Sequence, residues 1–208
     1  MYPSMHINHR TADAFVHGAT LLAVGVMCGL VSMRISDGIG LQKTVFSILY
    51  MVCLLGSALA SAIYHFGPWH NVRLSLRRID HAAIYGLIAA TITAVLSDLD
   101  PTFVFIFAGI IWTVTLLAML WKIFGSHVKS RWSTLSYVGL GAIGFVGLVF
   151  NFTELPLVTA ITIFVGAGFY LSGIPFYARK SMPYRYAIWH VFVLLGTISF
   201  FVGIFNVV

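Results

Sequence analysis

Three places in this chain put reactive polar side chains at the ends of long apolar runs: Ser61-Ala-Ile-Tyr-His65, Arg77-Arg78-Ile-Asp80-His81 and Trp189-His190. A charged or metal-ligating group at the edge of a hydrocarbon slab is costly, so its presence there points to a functional site. His65, His190 and Asp80 together supply two imidazoles and a carboxylate, close to a catalytic zinc set. Zn²⁺ takes three or four nitrogen, oxygen or sulfur ligands, and a catalytic ion keeps one position for a water that it acidifies. Ser61 and His65 are four residues apart, so on a helix they share a face, and the hydroxyl can point at whatever His65 binds. Each residue also has a plainer reading: a hydrogen-bonded packing histidine, or Asp80 in an interfacial salt bridge with Arg77 or Arg78. His81 follows Asp80 directly and is expected to point about 100° away on a helix. His17 lies early in the first apolar run, near the same depth, and is an open fourth candidate. His6, His9, His70 and His127 fall in the tail and loops and read as solvated surface.

The elements that must position these residues follow from composition. The 208 residues are 60% hydrophobic and 9% charged, with a mean hydropathy of +0.96. Soluble domains carry roughly 25% charged residues, so the chain reads as an integral membrane protein. Cys28 and Cys53 lie inside apolar runs and read as small buried hydrophobes rather than a disulfide framework. Residues 1–10 lack the pattern of a cleaved signal peptide. The net charge of +6 could suit nucleic acid, but the basic residues sit in short clusters between apolar runs, which is a topology signal.

Seven runs are long enough to span, at about 13–33, 42–65, 81–97, 102–122, 133–151, 156–177 and 187–207. Turn formers and charges separate them, among them Asp37-Gly38, Gly67-Pro68, Asp98-Leu99-Asp100-Pro101, Gly125-Ser126-His127 and Glu154-Leu155-Pro156. Ten of the twelve Lys and Arg residues (Arg10, Arg73, Arg77, Arg78, Lys122, Lys129, Arg131, Arg179, Lys180, Arg185) fall on one side of a seven-span arrangement, and a six-span one would spoil the alternation. Basic residues stay cytoplasmic, so the N-terminus is expected inside and the C-terminus outside. The fold class is therefore an all-α, seven-helix membrane bundle forming a single domain over 1–208. In it Ser61, His65, Asp80 and His190 share the cytoplasmic depth.

The same motifs, with Val16-His17-Gly18, Tyr85 and Pro183-Tyr184-Arg185-Tyr186 around them, resemble the hemolysin III family, the bacterial branch of the progestin and adipoQ receptor superfamily. The likeness runs over nearly the whole chain with the motifs in family order. It implies seven helices with the N-terminus inside and a place in the bacterial inner membrane. By position it implies that His65 and His190 are zinc ligands, that Asp80 holds the zinc-bound water, and that Ser61 is the serine preceding the first ligand. The superfamily is linked to zinc-dependent hydrolysis of lipid amides, and its bacterial members to membrane lipid homeostasis. Two positions depart from the pattern: Tyr186 stands where the last span usually starts a His-x-x-x-His pair, and Phe200 where a further histidine is usual. The stretch Ala89-Ala-Thr-Ile-Thr93 lacks the family's usual proline, so the third span should kink less.

Three functions follow as expectations. The first is a metal-dependent lipid amide or ester hydrolase, with Asp80 as general base and Ser61 orienting water or oxyanion. The second is a non-catalytic lipid sensor or receptor-like protein with a degenerate metal site, a reading that Tyr186 and Phe200 favour. The third, a pore-forming hemolysin, has no amphipathic insertion segment to support it. Membrane lipid is the expected ligand, zinc the expected cofactor, and nucleic acid no partner.

Overall fold

Sustained apolar runs broken by Gly, Pro and Asp become seven α-helices in the computed structural model, which describes residues 2–4, 6–125 and 130–208; between 130 and 133 only Trp132 has a described side chain. The helices are α1 (Ile7–Ser36), α2 (Leu41–Phe66), α3 (Arg73–Val95), α4 (Pro101–Phe124), α5 (Ser130–Phe150), α6 (Leu157–Ala178) and α7 (Arg185–Phe205), with one 3₁₀ turn, His70–Val72, leading into α3. No strand occurs among the described residues. Five helices, α1, α2, α4, α6 and α7, are long and apolar enough to cross a membrane, and α5 contains a shorter apolar helix, Thr134–Phe150. A helix satisfies its own backbone, which is why helices can stand in hydrocarbon.

Local chemistry sets the ends. Pro101 occupies the first turn of α4 while the Asp100 carboxylate accepts from Phe103 N at 3.0 Å, a cap that meets one otherwise unpaired donor. Between α1 and α2 the chain turns through Gly38 and Gly40, both near φ +85°, a region that costs glycine nothing. At the opposite end Arg73 closes the α2–α3 turn: its guanidinium donates to Tyr64 O, to Gly67 O and to His70 Nδ1.

The helices pack up and down. α3 lies against α2, α4, α5 and α7, while α1 closes on α2 and α7. α6 and α7 approach closely at small residues. A Cβ on Gly166 would sit 3.1 Å from Gly196 O, and one on Gly173 would sit 2.8 Å from Phe192 Cβ, the small-residue contact that lets membrane helices touch. Val24, Val31, Tyr50, Tyr85, Ile111 and Ile204 form the centre of the core. Outward, Phe15, Leu117, Phe150 and Leu157 are exposed, as suits a surface facing lipid.

Two helices start earlier than hydropathy alone indicates. α1 begins at Ile7 rather than near 13, and α3 at Arg73 rather than near 81. Charged residues do not end a helix; they end only its apolar part, and the backbone continues into the polar layer. Arg77, Arg78 and Asp80 are therefore helical residues in the first two turns of α3, and Asp13 is a helical residue one turn before His17. Ser126, His127 and Lys129 lie outside the described residues.

Candidate metal centre

The early start of α1 decides the site. Asp13 and His17 are four residues apart and share one face of α1, Ser61 and His65 share a face of the last turns of α2, and His190 lies in the second turn of α7. The three helix ends converge. His65 Nδ1 is 2.5 Å from Asp13 Oδ2 and His190 Nδ1 is 2.9 Å from Asp13 Oδ1. His17 Nδ1 lies 2.9 Å from the main-chain oxygen of Asp13 and 3.5 Å from its Oδ1. On its other side, His17 Nε2 is 3.3 Å from Ser61 Oγ.

These contacts assign the tautomers. Each of the three Nδ1 atoms faces a carboxylate or a carbonyl, neither of which has a hydrogen to give. Nδ1 must therefore carry the proton and donate it, which leaves Nε2 of each neutral ring unprotonated, with the lone pair of His17 facing the Ser61 hydroxyl. An imidazole whose N–H is held by a carboxylate or carbonyl is oriented and made more basic at its other nitrogen, the usual arrangement behind a metal-bound histidine. Asp13 does this for two rings at once.

The centre is shielded from water. Asp13 is 1% exposed, His65 4% and His17 6%, and the His190 side chain 12%. The rings lie close: centroids are 4.1 Å apart for His17 and His190 and 4.8 Å for His65 with each of the other two. Phe66 packs against His17 at 5.2 Å, and Tyr186 meets His65 edge-on at 5.2 Å. A buried carboxylate in an apolar setting needs partners, and here three imidazoles supply them. Asp13, His17, His65 and His190 each offer a ligand atom within 4.8 Å of the others. Three imidazoles oriented by a carboxylate suit a borderline divalent ion such as Zn²⁺. The donor chemistry fits a metal; it does not name one.

Comparison with known proteins agrees with this geometry. A family profile described as "Haemolysin-III related" matches residues 5–201. The "Hemolysin-3 homolog" of Bacillus subtilis (strain 168) is 30% identical over 200 residues, covering 94% of this chain and 92% of the relative. "Hemolysin-3" of Bacillus cereus is 28% identical over 200 residues, covering 94% and 90%. The chain belongs to the haemolysin-III related family.

Within this haemolysin-III related chain the residues singled out from sequence fall into two groups. His65 and His190 both donate to Asp13, and Ser61 lies at the edge of the same cluster against His17. Asp80 stands outside the four-residue group. Its Oδ2 instead meets His81 Nδ1 at 3.0 Å, and His81 Nε2 is 3.5 Å from Tyr177 Oη on α6. His81 thus does not turn away from Asp80 as adjacent helical positions suggest, because its ring folds back onto the carboxylate. Asp80 remains within electrostatic reach of His65 and His190. Among the described residues it makes no salt bridge to Arg77 or Arg78; Arg78 donates to Ile123 O at 2.9 Å.

The two positions at which the resemblance leads one to expect histidines separate as well. Tyr186 borders the cluster through His65, whereas Phe200 packs against Tyr170 at 5.8 Å in the α6–α7 seam. Asp13 is the residue that sequence reasoning missed. Its signal was the Asp13-x-x-x-His17 spacing, readable only if α1 begins before the apolar run.

Proposed function

We propose that this haemolysin-III related, multi-pass membrane protein is a metal-dependent hydrolase that cleaves a lipid amide or ester from the cytoplasmic leaflet of the bacterial inner membrane. The N-terminus lies in the cytoplasm and the C-terminus outside, since basic residues cluster at the end of the bundle that carries the site. The observation that carries the reading is the buried Asp13 carboxylate, which holds His65 and His190 by Nδ1 while His17 donates to the Asp13 carbonyl, so that all three rings keep the same nitrogen, Nε2, unprotonated. His17, His65 and His190 would hold the ion through Nε2, and Asp13 would fix their tautomer and orientation. Zinc, when bound in such a site, polarises a carbonyl and acidifies water.

The chain's own residues take the remaining roles. Asp80, backed by His81 at 3.0 Å, accepts the proton from the attacking water as general base and is not asked to ligate. Ser61 donates toward the developing oxyanion or orients the water. Tyr64, Phe66 and Tyr186 exclude bulk water around the rings.

Metal analysis of purified protein, coupled to lipid mass spectrometry, tests this reading. The wild type should carry about one zinc per chain, and His65→Ala or His190→Ala should lose both metal and product. A wild type that takes up no metal at micromolar zinc sinks it. A second reading, a lipid-binding regulator without turnover, draws on Tyr186 and Phe200 standing where the resemblance leads one to expect histidines. It predicts thermal stabilisation by lipid with no product formed.

A further inference from the structure

The end of the bundle that carries the site has many cations and almost no free acid. Of the six acidic residues, Asp37, Asp98, Asp100 and Glu154 belong to the opposite turns, which leaves Asp13 and Asp80 here. Both are committed: Asp13 to three histidines, Asp80 to His81. Two arginines are committed as well, Arg73 to the carbonyls of Tyr64 and Gly67 and Arg78 to that of Ile123. Arg77 and Arg185 differ. Among the described residues neither has a carboxylate within ion-pair distance.

Their placement is specific. The Arg185 guanidinium lies over the ring of Tyr186 at 4.4 Å and faces that of Tyr177 at 5.9 Å. Tyr186 in turn meets His65, and Tyr177 Oη meets His81. Arg185 is thus one aromatic ring away from the histidine cluster on one side and from the Asp80–His81 pair on the other. Arg77, exposed on α3, stands one turn before His81 on the same helix face, and His81 Nε2 is the atom that meets Tyr177 Oη, so Arg77 flanks the Tyr177–His81 contact from the α3 side. A guanidinium stacked on an aromatic face keeps its N–H edge free, and that planar edge matches the paired oxygens of a phosphate.

We propose that Arg77 and Arg185 bind the phosphate of an anionic glycerophospholipid headgroup beside the histidine cluster, so that this chain prefers a negatively charged phospholipid to a neutral or zwitterionic lipid. The preference deepens the proposed function and rests on it only for what becomes of the lipid; headgroup binding stands by itself. Topology alone does not account for the arrangement. Arg179 and Lys180, exposed at the end of α6 and in the turn before α7, serve charge asymmetry equally well, yet among the described residues neither stacks on a tyrosine as Arg185 does.

The experiment is thermal unfolding of the full chain in a neutral maltoside detergent, with dihexanoyl phosphatidylglycerol, dihexanoyl phosphatidylcholine or inorganic phosphate added at equal concentration. Phosphatidylglycerol should raise Tm by several degrees more than phosphatidylcholine, and inorganic phosphate should give a smaller shift than phosphatidylglycerol. Arg77→Gln with Arg185→Gln should erase the gap between the two lipids, whereas Arg179→Gln with Lys180→Gln should preserve it. Equal shifts for both lipids, a gap surviving in the first variant, or a gap erased equally by the second would overturn the proposal. Inorganic phosphate reproducing the whole shift would overturn the lipid as its source. Should the first pair unfold, Arg77→Lys with Arg185→Lys takes its place and should narrow the gap, because an ammonium keeps the charge without the fork; an unchanged gap then counts against the proposal. Zinc content measured on the same samples keeps the two readings apart. Metal retained without lipid preference sinks only this inference, and lipid preference without metal sinks only the hydrolase.

Discussion

The two ends of this bundle both carry polar residues beside apolar helices, and they use them in opposite ways. At the acidic end the contacts cap a helix or tie one helix start to a neighbouring turn, and they stay partly in solvent. Asp100 caps its own helix, Lys43 pairs with Asp98 at 2.7 Å with both side chains partly in solvent, and Gln42 donates to the carbonyls of Ser97 and Leu99 in the α3–α4 turn. At the basic end the polar atoms turn inward. Asp13 reaches His65 across 52 positions and His190 across 177. The acidic end secures turns, whereas the other end joins three helices through one buried carboxylate. Polarity at a helix end therefore does not mark a site by itself; burial combined with convergence from separate helices does.

That contrast can be broken, most strongly at Asp13. Asp13→Ala leaves the N–H groups of His65 and His190 without their acceptor, at roughly 1–3 kcal/mol for each buried donor. It should lower Tm by many degrees as well as metal uptake. Asp13→Asn keeps the shape but removes the charge, and isothermal titration should show zinc affinity reduced by about 10–100-fold, the usual effect of losing a group that orients ligands. If zinc affinity survives Asp13→Asn, the carboxylate is not what organises the rings. Tyr186→His, which puts an imidazole one turn before His190 and next to His65, should tighten zinc binding; no change would show that the first-helix residues already complete the set.

Smaller effects belong to the acidic end. Asp100→Ala removes a helix cap and should cost about 1 kcal/mol in unfolding experiments, with zinc content unchanged. Lys43→Ala should cost at most about 1 kcal/mol, and less at high salt, as exposed ion pairs do. A metal deficit in either variant would mean that the two ends are coupled, contrary to their separate constructions.

Much of the fold was legible from local properties. Seven apolar runs became seven helices, and the Gly, Pro and Asp breaks between them fell at the turns wherever the chain is described. The close approaches at Gly166, Gly173, Gly196 and Gly203 emerged only from the packing of α6 on α7. The site was legible only in part. His65, His190 and Ser61 stood out because polar residues at the ends of apolar runs are rare. Asp13 did not, because it preceded the run, where an aspartate ordinarily means water. Asp80 looked like a ligand because its depth was right, but depth does not say which way a side chain turns.

The sequence by itself determined helix number, approximate length, apolar exterior and charge asymmetry, because each depends on hydropathy and spacing along a few turns. Only the tertiary structure decided that Asp13 joins His17, His65 and His190 while Asp80 pairs with His81. Those choices depend on how each helix is rotated about its axis and where it starts. Both are set by contacts between residues far apart in the chain, which no local pattern encodes.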